Sequence, residues 1–171
     1  MKKHYRGVTS KVERIVSWTY AGAIGRTLDI IGPEIASMLS HVHFLTGTDP
    51  VFAGLHNCDA IEDGSHRSYR NTGHCCYPNG ASDGRTTVVL PVIGDADTLI
   101  ICHELGHCLD EVLGFRHTAI PVDDYAATNR YEAFAQSFTE RFFWMDDEAE
   151  AIYQSDIEMR RLFDSLEKRE A

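Results

Sequence analysis

Residues 101–111 read ICHELGHCLDE, two histidines four apart with a glutamate directly after the first. On a helix, positions four apart lie about 400° round the axis, so the imidazoles of His103 and His107 leave from one face. That spacing lets two ring nitrogens reach one Zn²⁺ at about 2.0–2.1 Å. Glu104 sits about 100° round from His103, near enough to hold a water beside the metal. Zinc lowers the pKa of such a water toward ~7, and a neighbouring carboxylate takes its proton as it attacks a carbonyl.

The pattern alone also fits a helix with two surface histidines, so its surroundings matter. The preceding RTTVVLPVI (85–93) is β-branched and reads as a strand; Pro91 near its end suggests a sheet edge. Ile100, Ile101, Leu105, Leu109, Val112 and Leu113 then recur at spacings of three and four, giving the motif's helix an apolar face. Asp95 or Asp97 can cap that helix and Gly114 ends it. Gly106, a poor helix former, leaves room beside the metal face. Cys102 and Cys108 lie on different faces and read as small packing groups.

Catalytic zinc commonly has three protein ligands. A third histidine six residues past His107 is absent, since that position is Leu113. Glu132 is the better candidate. It stands 25 residues downstream, in the first turn of RYEAFAQSFTERFFW (130–144), a second helix with Asn129 or Thr128 available as its cap. His117, Asp123 and Asp124, in the intervening loop, remain alternatives. Tyr125, in the same loop, can donate a hydrogen bond to an oxyanion. Asp110 can accept a proton from a ligand imidazole, and Gln136, one turn after Glu132, can orient that carboxylate.

HELGHCLD followed by YAATNRYEAFAQSF resembles the catalytic core of the anthrax lethal factor type of zinc metallopeptidases, which includes the Pro-Pro endopeptidases. The shared features are HExxH, a tyrosine seven residues before a glutamate, and the helix that glutamate opens; here they are Tyr125, Glu132, Phe134, Ala135 and Phe138. The likeness spans residues 86 to 142. RYEAF stands where that family more often has EEFFA, and the span from His107 to Glu132 is short. The resemblance implies that His103, His107 and Glu132 bind one catalytic zinc, with Glu104 as general base and Tyr125 on the oxyanion. It also implies a zincin-like fold and a peptide or protein substrate. An inert binding module retaining the metal as a structural pin is the alternative from another class.

The rest of the chain bounds these expectations. Its 171 residues suit a single domain, 1–171. A net charge of −10 argues against a nucleic-acid partner, and no apolar run approaches the roughly 20 residues of a membrane span. The mildly apolar IVSWTYAGAIG (15–25) reads as an amphipathic helix rather than an export signal. Five cysteines, an odd number with two adjacent, argue against a secreted disulfide framework and for a cytoplasmic protein.

GPEIASMLSHV begins a helix at Pro33, VHFLTG (42–47) reads as a strand, and residues 57–84 as a long irregular loop. His56, Cys58, His74, Cys75 and Cys76 in that loop are chemically suited to a second zinc. Their spacing fits no standard pattern, so they read as loop thiols and histidines near the cleft. TTVVLP could pair with an extended peptide, and EAEAIYQSDIEMRRLFDSLEKRE reads as one solvated final helix. The expected fold class is α+β, with a small mixed sheet, the HExxH helix and a second helix carrying the glutamate ligand.

Overall fold

The computed structural model describes residues 18–46, 73–77, 85–90 and 98–168. The caps Asp95 and Asp97, Pro91, His56 and Cys58 lie outside the described residues, as do the side chains of His74 and Cys76.

Helix α1 (Trp18–Ile31) buries Ile24, Leu28 and Ile31, three or four residues apart, as an amphipathic helix must. Thr27, buried on the same face, returns its hydroxyl to the Ala23 carbonyl at 2.9 Å. Gly32, at φ 85°, supplies the left-handed corner. Pro33, with its φ already set for a first turn, then opens α2 (Pro33–Met38).

The sheet is mixed and three-stranded: β1 (His43–Thr46), β2 (His74–Cys76) and β3 (Thr87–Leu90), in the order β1-β3-β2. β1 pairs β3 in parallel, His43 opposite Thr87 and Thr46 opposite Leu90. β2 runs antiparallel to β3, with His74 opposite Val89 and Cys76 opposite Thr87. Two sequence expectations fail here. The segment 57–84 is not wholly irregular, because it contributes a strand. β3 is central rather than an edge, so both sides of its backbone are engaged and it cannot take up an added peptide strand. Val88, Val89 and Leu90 are all fully buried, as a central strand covered on both faces requires.

Helix α3 (Thr98–Val112) carries the HExxH motif and buries Ile101, Leu105, Cys108 and Leu109. Gly114, at φ 72°, closes its end as expected. A 3-10 turn (Ala126–Thr128) leads to α4 (Arg130–Phe142). Phe134 and Phe138, one turn apart on α4, pack edge-to-face on Phe163 at 5.7 and 5.6 Å. All three rings are fully buried, each contributing about 1.5–3 kcal/mol of apolar burial.

The final stretch is two helices, α5 (Asp147–Ser155) and α6 (Ile157–Glu167), not one. Asp156 makes the break. Its Oδ1 accepts from the Met159 N–H at 3.0 Å and caps α6, while Oδ2 accepts from the Ile120 N–H at 2.7 Å. One carboxylate thus starts a helix and ties down the loop between α3 and α4, an offset that repays the broken helical ladder. The described part is mixed α+β, and no helix in it is long and apolar enough to cross a membrane.

One buried acid near the end of α4 gives this fold a pH signature. Glu140 is 3% exposed, and its Oε2 accepts from the Met145 N–H at 3.1 Å while Oε1 has no partner among the described residues. Burial, reinforced by nearby Glu150 and Asp146, pushes its pKa up to about 7. The folded state therefore holds this proton where the unfolded chain has lost it, so stability falls as pH rises from about 4.5 to about 7. Urea unfolding across pH 5 to 8 should show that decline in the wild type and a shallower one in Glu140→Gln. At pH 8 the variant should be more stable by on the order of 1–3 kcal/mol; parallel curves for the two proteins would remove Glu140 as the cause.

Candidate metal centre

The site lies where α3 crosses α4, and Gly106 sets the distance of that crossing. A Cβ on Gly106 would fall 2.9 Å from the Ala135 Cα, 3.2 Å from its carbonyl oxygen and 3.2 Å from the Phe138 ring. The room this glycine provides is for the backbone of α4, not for the metal face as its position in the motif suggests. With the helices this close, Glu132 on α4 reaches the two imidazoles on α3.

The three side chains converge tightly. Glu132 Oε2 lies 3.0 Å from His103 Nε2 and 3.4 Å from His107 Nε2, and the two Nε2 atoms are 3.2 Å apart. In a tetrahedral site with ligand atoms at ~2.0–2.1 Å from the ion, neighbouring ligand atoms are about 3.3 Å apart. The observed triangle has that size. Oε2 is buried and makes no well-directed hydrogen bond, although it touches both rings. Oε2 and the two Nε2 atoms lie within 3.4 Å of one another, a crowding of electron-rich atoms that a positive charge among them makes favourable. Among the described residues, this His103–His107–Glu132 group is the cluster able to hold a metal ion.

Supporting contacts fix the orientation of these groups. Asn129, extended at φ −164°, caps α4 by accepting from the Tyr131 and Glu132 N–H groups at 2.9 and 3.0 Å. Gln136 does not orient Glu132 as its spacing suggests; it serves His103. Its amide N–H donates to Asp123 Oδ2 at 2.8 Å, and a carboxylate can only accept, so the amide oxygen must face the other way. That oxygen lies 3.0 Å from His103 Nδ1. Nδ1 therefore carries the ring proton, and Nε2 keeps its lone pair toward the centre.

The ionisable groups of the cluster shift one another. Burial works to raise the Glu132 pKa, but contact with both imidazoles outweighs it and holds the carboxyl well below the usual range. Burial lowers His103, and the Glu132 and Glu104 carboxylates more than offset it, leaving the ring's pKa raised. Burial raises that of Glu104, opposed by the two imidazoles.

Glu104 is 5% exposed and stands between α3 and the start of β2. A Cβ on Gly73, just before β2, would come 2.9 Å from Glu104 Oε1 and 2.7 Å from Ile100 Cγ2. A side chain at this position would push Glu104 and Ile100 from where they stand, so the glycine lets the strand's backbone lie close over that carboxylate. This contact is invisible in the HExxH pattern, and the glycine lies in a segment whose composition reads as loop.

Tyr125 belongs to the same neighbourhood. Its ring centroid is 5.9 Å from that of His103, and the residue is 54% exposed. Burial of its ring edge, then the charge of Glu132 and a hydrogen bond to it, push the phenol up to about 12, so it remains a donor at neutral pH. The alternative third ligands stand elsewhere. Asp123 spends its two oxygens on the Ala126 N–H and Gln136, and Asp124 is exposed. The carbonyl of His117 accepts from Arg130 at 2.6 Å, and its ring is outside the cluster.

Asp110 also departs from expectation. It is fully buried, and Oδ1 accepts from Arg130 at 3.3 Å rather than from a ligand imidazole. Cys102 is buried as expected, whereas Cys108 has an unexpected neighbour, the Cys75 thiol on β2. Of the five residues weighed for a second zinc, Cys75 is the one whose side chain is described, and it joins no metal-holding cluster among the described residues.

Comparison with protein-family models, with curated proteins and with solved structures gives no match.

Two variants test this geometry. Gly106→Ala should cost about 1–3 kcal/mol through overpacking against Ala135 and weaken metal binding, read by calorimetric titration of the apoprotein. An unchanged metal affinity would show that the close crossing does not set the site. Gln136→Leu, which removes the acceptor for His103 Nδ1–H, should lower metal affinity by about 10–100-fold while leaving helical circular dichroism intact.

Proposed function

We propose that this chain is a zinc-dependent endopeptidase with a zincin-like fold of the anthrax lethal factor type. The observation that carries the proposal is the convergence of His103, His107 and Glu132 at ligand–ligand distances of 3.0–3.4 Å with buried Glu104 beside them. Two neutral imidazoles and one carboxylate form a donor set that suits zinc with an open fourth position.

A zinc ion held by these three residues supplies a Lewis acid for the scissile carbonyl and acidifies a water for attack. The chain's own residues do the rest. Glu104 is the general base: it takes the water's proton and returns it to the departing amine. Its raised pKa suits that exchange, because a carboxylate nearer neutrality gives the proton back more readily. Tyr125, a protonated phenol beside Glu132, donates to the oxygen that gains negative charge as the carbonyl is attacked.

An extended peptide has an edge to pair with. Central β3 is closed to it, but the outer side of β2 pairs with no strand among the described residues. β2 starts at the glycine packed on Glu104, so a chain added along it would pass the proposed base. That arrangement supports a polypeptide substrate over a small amide.

Metal analysis of purified protein, together with cleavage of a diverse peptide library, tests the proposal. Wild type should bind one zinc per chain and cleave peptides. Glu104→Gln should keep the metal and lose about 10²–10⁴-fold in kcat; Tyr125→Phe should lose about 10²-fold or more in kcat. Metal bound without any cleavage would favour the inert binding module, and equal cleavage by wild type and Glu104→Gln would remove Glu104 as the base.

A further inference from the structure

Cys75 on β2 and Cys108 on α3 bring their sulfurs to 3.5 Å across 33 residues of sequence. Both are free thiols. Neither is needed by the metal centre, and small apolar packing does not require two thiols in contact. Cys108 is fully buried, while Cys75 is only half-buried at the edge of the sheet. The hydrogen bond with Cys108 and burial push the pKa of the Cys75 thiol well up, so Cys75 rests as the protonated thiol.

We propose that Cys75 and Cys108 are an oxidisable dithiol that peroxide converts to a disulfide, tying edge strand β2 to helix α3 next to His107. Cys75, the partly exposed residue of the pair, attacks one peroxide oxygen through its sulfur, and its proton leaves with the departing hydroxide. The O–O bond breaks, leaving a sulfenic acid on Cys75 and one water. The Cys108 sulfur then attacks the Cys75 sulfur and gives up its proton as the S–O bond breaks, releasing a second water. In sum, two thiols and one hydrogen peroxide give one disulfide and two waters. The sulfurs must close from 3.5 Å to about 2.05 Å for the bond to form.

The position gives the bond its consequence. β2 begins next to Gly73, whose backbone lies on Glu104, and Cys108 directly follows His107. The disulfide would therefore fix the strand flanking Glu104 relative to the helix that carries the histidine pair. Closing a loop of this length also restricts the unfolded chain. These effects do not depend on the chain being a peptidase, so the dithiol can be tested apart from that proposal.

Wild-type protein treated with a few equivalents of hydrogen peroxide, then alkylated, digested and mapped by mass spectrometry, should yield a Cys75–Cys108 cross-linked peptide that dithiothreitol removes. Its Tm should rise by about 5 °C or more on oxidation, and Cys75→Ser and Cys108→Ala should each abolish both changes. Sulfinic acid on Cys75 with no cross-link, or a cross-link to Cys58 or Cys76 instead, would overturn the proposal. So would a second bound metal per wild-type chain that Cys75→Ser removes, since the thiols would then be ligands. The peptide map of wild type decides the matter even if a variant folds poorly.

Discussion

The close passage of α3 over α4 at Gly106 is the constraint on which the candidate metal centre depends. Helices normally pack with axes 8–10 Å apart, the distance set by the side chains at the contact. Here the contact residue on α3 has no side chain and its counterpart on α4 is Ala135, so backbone meets backbone. A carboxylate on one helix can then touch imidazoles on the other without either chain bending. The intrinsic cost of a glycine inside a helix, up to about 1 kcal/mol, is offset by the burial of Leu105, Phe134 and Phe138 around the crossing.

Most of the polar groups held in this place have partners that hold them. His103 is answered by Gln136 and, through it, Asp123; the N–H of Glu132 is answered by Asn129. Asp110, one turn beyond His107, is answered by Arg130, which also binds the His117 carbonyl and lies 4.7 Å over the Tyr131 ring. These contacts run from the loop and the first turns of α4 back to α3, so the segment between the two helices is secured by polar bonds while the helices are secured by apolar packing. His107 Nδ1 and Asp110 Oδ2 are buried without a hydrogen bond among the described residues. The polarity of the site is concentrated at that end of α3.

Much of this was legible in the sequence wherever the information is local and periodic. The helix bearing His103 and His107, the glycine end at Gly114, the Asn129 cap and the place of Glu132 all follow from spacings of three and four and from cap chemistry. What escaped is information carried by tertiary contact. Three residues, His74–Cys76, are too few to show alternation, so β2 is hidden in a polar stretch. Proline after β3 signals an interrupted ladder without saying whether the interruption falls within the strand or beyond it. Asp156 looks like one more solvated acid in a continuous helix, because its second partner, the Ile120 N–H, is 36 residues away. Gln136 can be assigned to Glu132 or to His103 by spacing equally well, and only the crossing of the helices decides for His103. The nearness of Glu104 and Tyr125 to the cluster is a property of the fold.

The same electrostatics link the centre to the stability of its surroundings. Two imidazole nitrogens and a carboxylate oxygen within 3.0–3.4 Å of one another repel unless positive charge lies among them. A proton on an imidazole meets that need in part, as the opposed shifts of Glu132 downward and His103 upward indicate. A divalent cation meets it more fully, and it binds best when both imidazoles are neutral and the carboxyl is ionised. Metal and proton therefore compete for one electrostatic vacancy in the charge balance. Because the donors come from two helices whose contact is the core of the described structure, binding free energy at the centre becomes free energy of the α3–α4 packing. The ion suited to these ligands would act as a fastener between the helices as well as a reagent, and the absence of any side chain at Gly106 is what allows one group of atoms to serve both ends.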